Sequence, residues 1–284
     1  MKWKGRRESR NIEDRRMQGG RRGGGLQIGG LGLLAILALG YFAGIDVTPL
    51  LEQSSAPAST TTTTTITEAD KRAGTFVSVT LADTEEVWDQ VFRAQVDGAY
   101  RPATLVLYKG VTQSPCGGAS GATGPFYCPG DRKIYLDTDF FTTLSGQLGA
   151  KGDFAAAYVV AHEVAHHVQN ELGILGKANS VRQRVSQEES NAISVRIELQ
   201  ADCYSGIWAR QVERQFGSLE SGDLQEAINA ARQIGDDTLQ RNSGRTPMPH
   251  TFTHGTSKQR AKWFEIGYES GDLNVCDTFS ANRL

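Results

Sequence analysis

The chain has 284 residues, with 30 Lys and Arg against 32 Asp and Glu, so its formal net charge is −2. This near balance argues against a protein that binds polyanions through a large overall positive charge. Hydrophobic residues make up 39% of the chain, which is enough to build a globular core.

Three segments of contrasting composition precede the globular part. Residues 1–25 carry nine Lys or Arg against three acidic residues, whereas residues 26–45 carry no charge at all. Twenty such residues can cross about 30 Å of hydrocarbon as a helix. Residues 46–67 are rich in Ser and Pro and contain six consecutive Thr, which is typical of a linker. The excess of basic residues before the apolar stretch predicts a cytoplasmic N-terminus, one transmembrane helix and an extracytoplasmic domain.

Two other interpretations of the N-terminal segments were weighed. A cleaved signal peptide is disfavoured because the basic region is long and the small-x-small site Ala56-Pro57-Ala58 lies too far beyond the apolar stretch. The basic segment could contact nucleic acid. Lipid headgroups are the preferred partner because the apolar stretch follows immediately. The predicted partner is therefore the cytoplasmic membrane, with no nucleic acid.

Residues 68–284 suit a single α+β, mostly helical domain. An apolar stripe that includes Val87 and Val91 predicts a helix within Asp83–Val96. Ala103–Tyr108 and Lys133–Leu136 have the composition of short strands. No feature of the sequence determines the oligomeric state.

All four cysteines, Cys116, Cys128, Cys203 and Cys276, follow the apolar stretch, as expected for an oxidising compartment. Cys116 and Cys128 bracket a loop rich in Gly and Pro, so a disulfide between them is favoured, and this leaves Cys203 to pair with Cys276. Free thiols or a second metal site are the alternatives, although no C-x-x-C spacing supports a metal site.

The run Phe154–Val168 predicts a buried helix that begins at an N-cap Asp153 and stops near Gly173. It contains one Glu and three His, polar residues that a buried helix rarely carries without a use for them.

The motif H-E-x-x-H lies within this run. His162 and His166 are four residues apart, so on a helix they lie on one face and can bind one Zn²⁺. Glu163 flanks the same position, where it can take a proton from a zinc-bound water and pass it to the leaving amine. Zinc in a catalytic site usually has three protein ligands and one water, so a third ligand is required.

The third ligand is not supplied by the same helix. The metzincin pattern would need Gly at position 169 and His at position 172, but the chain has Gln169 and Leu172. A capping box at Ser186–Glu189 predicts a second helix that runs to about Phe216.

Two carboxylates lie four residues apart on that second helix. Glu198 is the expected third zinc ligand, and Asp202 is expected to accept a hydrogen bond from the free ring nitrogen of a ligand His. The alternative is a solvated helix face. It is disfavoured because Leu199, Ala201 and Cys203 leave little of this turn free for water.

H-E-x-x-H followed by E-x-x-A-D on a later helix resembles the gluzincin metallopeptidases. Four stretches together resemble more closely the bacterial YpfJ-like family of neutral zinc metallopeptidases: Met1–Ser9, His162–Gln169, Glu198–Gly206 and His254–Arg260. This resemblance covers nearly the whole chain except the Thr-rich linker. It implies a gluzincin-like domain on the bacterial cytoplasmic membrane, but it does not identify a substrate.

The resulting prediction is a membrane-anchored zinc peptidase in which His162, His166 and Glu198 hold Zn²⁺ and Glu163 is the general base. Its substrate would be a peptide or a protein. A membrane-tethered scaffold with a structural zinc is the alternative, but His167 points about 100° away from His166 and is badly placed as a fourth ligand. Hydrolysis of a non-peptide amide is a third possibility.

The resemblance also implies an oxyanion donor from the C-terminal part of the domain. His254 is the predicted donor, because it precedes a helix expected to run to Tyr268. His250 and Tyr204 are rival donors, and a surface role is the alternative for His254.

Overall fold

The computed structural model describes residues 1–17, 66–120 and 124–284. The predicted transmembrane stretch 26–45 and residues 46–65 of the predicted linker lie outside the described residues. Among the helices that are described, none is both long enough and apolar enough to cross a membrane.

The described ranges contain helices, short strands and two 3₁₀ segments. The helices are α1 (Glu68–Gln95), α2 (Phe140–Gly146), α3 (Asp153–Glu171), α4 (Ile174–Arg182), α5 (Gln187–Phe216), α6 (Asp223–Gln233), α7 (Asp236–Asn242) and α8 (Ser257–Ser270). The strands are β1 (Ile12–Asp14), β2 (Thr104–Tyr108), β3 (Val111–Ser114), β4 (Gly117–Ser120), β5 (Phe126–Cys128) and β6 (Lys133–Asp137). The 3₁₀ segments are Pro249–Thr251 and Leu273–Cys276.

A four-stranded sheet has the order β1-β2-β6-β5. The first three of these strands are parallel, with Leu105 paired with Ile12 on one side and with Ile134 on the other, and β5 is antiparallel to β6. Strands β3 and β4 form a separate antiparallel hairpin. The predicted α+β, mostly helical class is therefore confirmed.

Most of the predicted elements are present, with shifted ends. The helix predicted within Asp83–Val96 is the C-terminal part of the longer α1, and both predicted strands are found as β2 and β6. The capping box of α5 forms as predicted, and this helix ends before a left-handed Gly217. Gly173 likewise has a positive φ of 73° just after Leu172, the C-cap of α3, so it stops that helix.

The predicted N-cap of α3 is wrong by one residue. Gly152 occupies the N-cap position, and Asp153 is the first helical residue. Asp153 Oδ1 lies 2.5 Å from the α-amino nitrogen of Met1, so its carboxylate pairs with a cation instead of capping the helix.

Residues 1–17 form an arm that is part of the folded domain. Its strand β1 extends the sheet beside β2, and the Lys2 amide donates a hydrogen bond to the Ser218 carbonyl oxygen. Met1 is buried, and its α-amino group also lies 3.2 Å from Asp223 Oδ2.

Two arginines fasten the same arm to α1. Arg6 makes a bidentate pair with the buried Asp83, at 2.7 and 2.8 Å. Arg16 donates to the Asp70 carbonyl oxygen at 2.5 Å, within the first turn of α1. The domain therefore also contains residues 1–17, whereas the sequence predicted that it starts at residue 68. An arm that packs on the domain lies on the same side of any membrane as the domain, whereas the sequence predicted opposite sides.

Helix α3 runs through the core and packs against α1, α5 and α6, with almost all of its residues buried. Helix α8 packs closely along α5, because glycines replace side chains at their contact. A Cβ on Gly267 would lie 1.8 Å from the Cys203 carbonyl oxygen, and one on Gly206 would lie 2.0 Å from the Phe264 carbonyl oxygen. The disulfides Cys116–Cys128 and Cys203–Cys276 are both formed, as predicted.

Candidate metal centre

Helices α3 and α5 bring three potential metal ligands together. His162 Nε2 lies 3.1 Å from Glu198 Oε2, and His166 Nε2 lies 3.4 Å from Glu198 Oε1. These are close to the separations expected of zinc ligands, since atoms 2.0–2.1 Å from a tetrahedral Zn²⁺ lie roughly 3.3 Å apart. The three residues form a group that could hold a metal ion.

The other ring nitrogen of each His is engaged by a buried acceptor. His162 Nδ1 lies 3.0 Å from Asp202 Oδ1, and His166 Nδ1 lies 2.9 Å from Gln169 Oε1. A carboxylate only accepts hydrogen bonds, so the neutral ring of His162 carries its proton on Nδ1, and its Nε2 is then free for a metal. The donor set and its orientation therefore fit Zn²⁺.

Asp202 belongs to a buried polar network behind His162. Arg260 from α8 makes a bidentate pair with Asp202, at 2.8 and 2.9 Å, and the Tyr158 hydroxyl donates to Asp202 Oδ1. One Arg260 guanidinium nitrogen lies 3.4 and 3.5 Å from the two ring nitrogens of His162, so it faces the ring. Asp202 and Arg260 are both at most 1% exposed, so each charge is compensated within the protein.

This network shifts the pKa values of its members. Burial alone would lower the pKa of His162. Hydrogen bonds with Asp202 and Glu198 outweigh this effect, so without a metal the pKa is raised to about 9. Burial would raise the pKa of Asp202, but Arg260 and His162 hold it below its usual value. Both shifts favour the charged forms in the absence of a metal.

Glu163 is 7% exposed and lines the same cleft as the three ligands. Burial raises its pKa, and the neighbouring Glu198 carboxylate adds to this, although His166 and His162 oppose the shift. A raised pKa moves a carboxylate towards the range in which it can take and return a proton near neutral pH.

His254 lines the cleft from the loop that precedes α8. Asp236 fastens this loop, since its Oδ2 accepts hydrogen bonds from the amides of Thr253, His254 and Gly255 at 2.6 to 2.9 Å. Asp236 Oδ1 lies 3.3 Å from His254 Nδ1. The His254 side chain is 48% exposed, so its partial burial lowers the pKa only weakly, whereas the nearby Glu198 and Asp236 carboxylates raise it. This shift is towards the protonated, hydrogen-bond-donating form of the ring.

The other predicted candidates lie elsewhere. His250 is exposed in a 3₁₀ segment, Tyr204 packs edge-on against Trp88, and neither lines the cleft. His167 is buried, with Nε2 2.7 Å from the Arg101 carbonyl oxygen and Nδ1 3.2 Å from the Tyr127 hydroxyl. It therefore ties α3 to its neighbours instead of joining the ligand group.

The cleft beside the ligands has a volume of about 440 Å³. Its polar side carries the three ligands together with Glu163, His254 and Arg260. Apolar residues form another part of its wall, among them Pro125, Phe126, Tyr127, Pro129, Phe140 and Leu175. The Cys116–Cys128 disulfide braces that wall, because Cys128 lies between Tyr127 and Pro129.

Three residues of this site were not anticipated from the sequence. Gln169 was considered only as a departure from the metzincin pattern, and Tyr158 only as part of an apolar helix. Arg260 lies 98 residues from His162, and a single arginine on an amphipathic helix gives no signal. Gln169 is the one that local spacing could have indicated, because it stands three residues after His166, within reach on one helix face.

An H-E-x-x-H helix that faces a glutamate from a later helix is the ligand arrangement of gluzincin-type metallopeptidases. The family model described as "Putative neutral zinc metallopeptidase" matches residues 1–279. The uncharacterised YpfJ protein of Escherichia coli K12 is 45% identical over 288 residues, covering 98% of this chain and 99% of that protein. An uncharacterised Mycobacterium tuberculosis protein is 43% identical over 222 residues, covering 75% of this chain and 74% of that protein.

The chain therefore belongs to this neutral zinc metallopeptidase family. No solved structure matches it significantly.

Proposed function

We propose that the protein is a zinc-dependent peptidase that hydrolyses peptide bonds at the candidate metal centre. The observation that carries this proposal is the convergence of His162, His166 and Glu198 beside the buried Glu163 in an open cleft. When bound there, zinc would act as a Lewis acid that polarises a peptide carbonyl and lowers the pKa of a water molecule.

The protein groups around the cleft have distinct roles in this proposal. Glu163 takes a proton from the attacking water and passes it to the leaving amine, for which its raised pKa suits it. Protonated His254 donates a hydrogen bond to the oxygen on which negative charge develops. Asp202 and Arg260 keep His162 in one orientation and one tautomer.

A structural zinc site in a membrane-tethered scaffold is the competing function. Structural sites are usually closed by four protein ligands, whereas catalytic sites keep one position open. The ligand group found here offers three residues, and it lines a cleft large enough to admit a peptide segment. These observations support a catalytic site.

Peptide cleavage by the purified full chain tests the proposal. We expect cleavage of a mixed peptide library that stops on chelation and returns with added zinc. Glu163→Gln removes the base but no ligand, so this variant should bind one zinc and lose at least about a hundredfold in turnover rate. Comparable turnover in Glu163→Gln, with zinc bound, would contradict the mechanism.

The ligand assignment has its own experiment. The Glu198→Ala variant should lose most of its zinc, because only two of the three proposed ligands, His162 and His166, remain. Glu188→Ala is the matched control, since Glu188 is exposed in the first turn of the same helix and should leave zinc stoichiometry unchanged. Equal zinc content in the two variants would show that Glu198 is not a ligand.

We further propose that the protein is membrane-attached through residues 26–45, with the domain and the arm of residues 1–17 together in an extracytoplasmic compartment. Two disulfides support an oxidising compartment. The membrane is proposed from the twenty uncharged residues alone.

A further inference from the structure

We propose that Gln169 is a positioning residue that holds His166 in the tautomer that can bind a metal, and that Gln200 and the Cys276 carbonyl group hold Gln169 in turn. This inference concerns the ligand group and does not depend on peptide hydrolysis. It begins from the burial of two glutamine side chains behind the metal centre, where Gln169 is 0% and Gln200 4% exposed.

The side-chain amide of Gln169 has all of its polar contacts inside the protein. Its Nε2 donates to the Ile197 carbonyl oxygen at 2.8 Å and to Gln200 Oε1 at 3.1 Å. Its Oε1 faces His166 Nδ1 at 2.9 Å. Two donated bonds and one accepted bond leave it well satisfied without water.

The direction of these hydrogen bonds is fixed by backbone carbonyl groups, which can only accept. The Ile197 carbonyl requires the NH₂ end of Gln169 to point towards it, so the oxygen end must face His166. Gln200 is oriented in the same way, because its Nε2 donates to the Cys276 carbonyl oxygen at 3.0 Å. Its oxygen is thereby turned towards the Gln169 amide, and neither amide can flip without leaving buried groups unpaired.

These fixed orientations determine the tautomer of His166. An oxygen acceptor at 2.9 Å from Nδ1 requires the proton of the neutral ring to sit on Nδ1, which leaves the lone pair of Nε2 directed at the metal position. Asp202 does the same for His162 with a carboxylate. The chain thus orients one ligand with an anion and the other with a neutral amide.

The far end of this hydrogen-bonded chain is covalently restrained. Cys276 is buried and bonded to Cys203 on α5, one turn after Gln200. The disulfide therefore keeps the Cys276 carbonyl group beside Gln200.

Substitution of Gln169 tests the inference in two readouts that need no peptide substrate. The first is zinc affinity measured by chelator competition, and the second is the ring ¹⁵N spectrum of His166 in its neutral, metal-free state. Gln169→Leu removes the acceptor, so we expect roughly 10- to 100-fold weaker zinc binding and loss of the Nδ1–H tautomer. Gln169→Glu keeps an acceptor oxygen for His166 but loses the NH₂ group that donates to Ile197 and Gln200, so it should keep the Nδ1–H tautomer and weaken zinc binding less than Gln169→Leu.

Two further variants serve as controls. Gln187→Leu makes the same substitution at an exposed position of α5 and should bind zinc as the unaltered protein does. Gln200→Leu removes one of the two anchors of Gln169, so it should weaken zinc binding in the same direction but less than Gln169→Leu.

Unaltered zinc affinity and an Nδ1–H His166 in Gln169→Leu would overturn the inference. If Gln169→Leu does not fold, Gln169→Glu decides, because loss of the Nδ1–H tautomer of His166 despite a retained acceptor oxygen would also overturn it. Either result leaves the proposed peptidase function open, since Glu163→Gln tests that function separately.

Discussion

At the scale of single residues, the charges around the candidate centre favour a cation. Glu163, Glu198 and Asp202 are three carboxylates, and Arg260 pairs with Asp202 and lies 4.0 Å from Glu198. The ionised forms of these four side chains leave two negative charges, and protonated His254 would reduce them to one, so the surroundings favour Zn²⁺. An arginine is required here because a buried Asp202 without it would carry an unpaired charge.

His254 provides the first residue-scale prediction. His254→Ala should retain zinc, because the three ligands are untouched, and should lower the turnover rate by roughly ten- to a thousandfold. The Michaelis constant should change less, since the donor acts mainly on charge that develops in the transition state. Steady-state kinetics with a cleaved library peptide measure both quantities.

His250→Ala is the matched control for this prediction, because His250 is exposed and does not line the cleft. An equal effect of the two substitutions, or no effect of His254→Ala, would show that His254 is a surface residue and not the oxyanion donor.

At the scale of elements, the contact between α5 and α8 decides whether Arg260 reaches Asp202. Gly267→Ala would place a methyl group 1.8 Å from the Cys203 carbonyl oxygen, so the two helix backbones must separate. We expect a loss of about 1–3 kcal/mol or more in the free energy of unfolding, measured by urea denaturation, together with weaker zinc binding.

Gly176→Ala makes the same change in α4, where an added Cβ meets nothing within 4 Å. Because Ala is the better helix former, this variant should be about 0.5–1 kcal/mol more stable. Equal stability changes of the same sign in the two glycine variants would argue that the α5–α8 contact is not tight.

The N-terminal end of α1 gives a prediction about acid stability. Burial alone would raise the pKa of Asp70, but Lys109, whose Nζ lies 2.7 Å away, and Thr67 lower it well below its usual value. A carboxylate with a lowered folded-state pKa stabilises the protein above its unfolded pKa, and this stabilisation is lost as the pH falls. Asp70→Asn should lower the free energy of unfolding by about 1–3 kcal/mol at pH 7. The difference in stability between this variant and the unaltered protein should become smaller between about pH 5 and pH 2.

Asp139→Asn is the control for the acid prediction, since the exposed Asp139 pairs with the same Lys109 at 3.1 Å. A surface ion pair contributes little to stability, so the free energy of unfolding of Asp139→Asn should differ from that of the unaltered protein by less than about 1 kcal/mol. Parallel urea titrations at several pH values compare the two, and an Asp70→Asn difference that does not depend on pH would contradict the assignment.

At the scale of the whole molecule, the arm of residues 1–17 joins the sheet, α1 and the start of α3. The chain leaves the described domain at Met17 and re-enters it at Ile66, and Arg16 contacts the first turn of α1. A single membrane crossing between these points would place the arm and the domain on opposite sides, which their contacts forbid.

Labelling in intact bacteria that express the protein tests this arrangement. Met17 is 74% and Val181 47% exposed, so cysteines introduced at these positions should be accessible to reagents on their side of the membrane. With the domain outside the cytoplasm, we expect Met17→Cys and Val181→Cys both to react with a membrane-impermeant maleimide. Reaction at only one of the two positions would contradict a shared side.

Much of this molecule follows from local sequence patterns. The capping box at Ser186–Glu189 and the glycine stop at Gly173 act within a few residues, so the ends they define were predicted. The spacing of His162, Glu163 and His166 on one helix was likewise readable, because helical geometry alone brings them together.

By itself, the sequence determined the family, the α+β class and the helix that carries H-E-x-x-H, and it favoured the two disulfide pairings that the structure contains. Only the tertiary structure decided that the basic arm packs against the domain, because the charge pattern of residues 1–25 is equally compatible with lipid and with buried carboxylates such as Asp83. It also decided that Arg260 pairs with Asp202 behind His162 and that Gln169 faces His166. Such contacts depend on the packing of helices distant in sequence, and hydrophobic periodicity does not encode which polar side chains then meet.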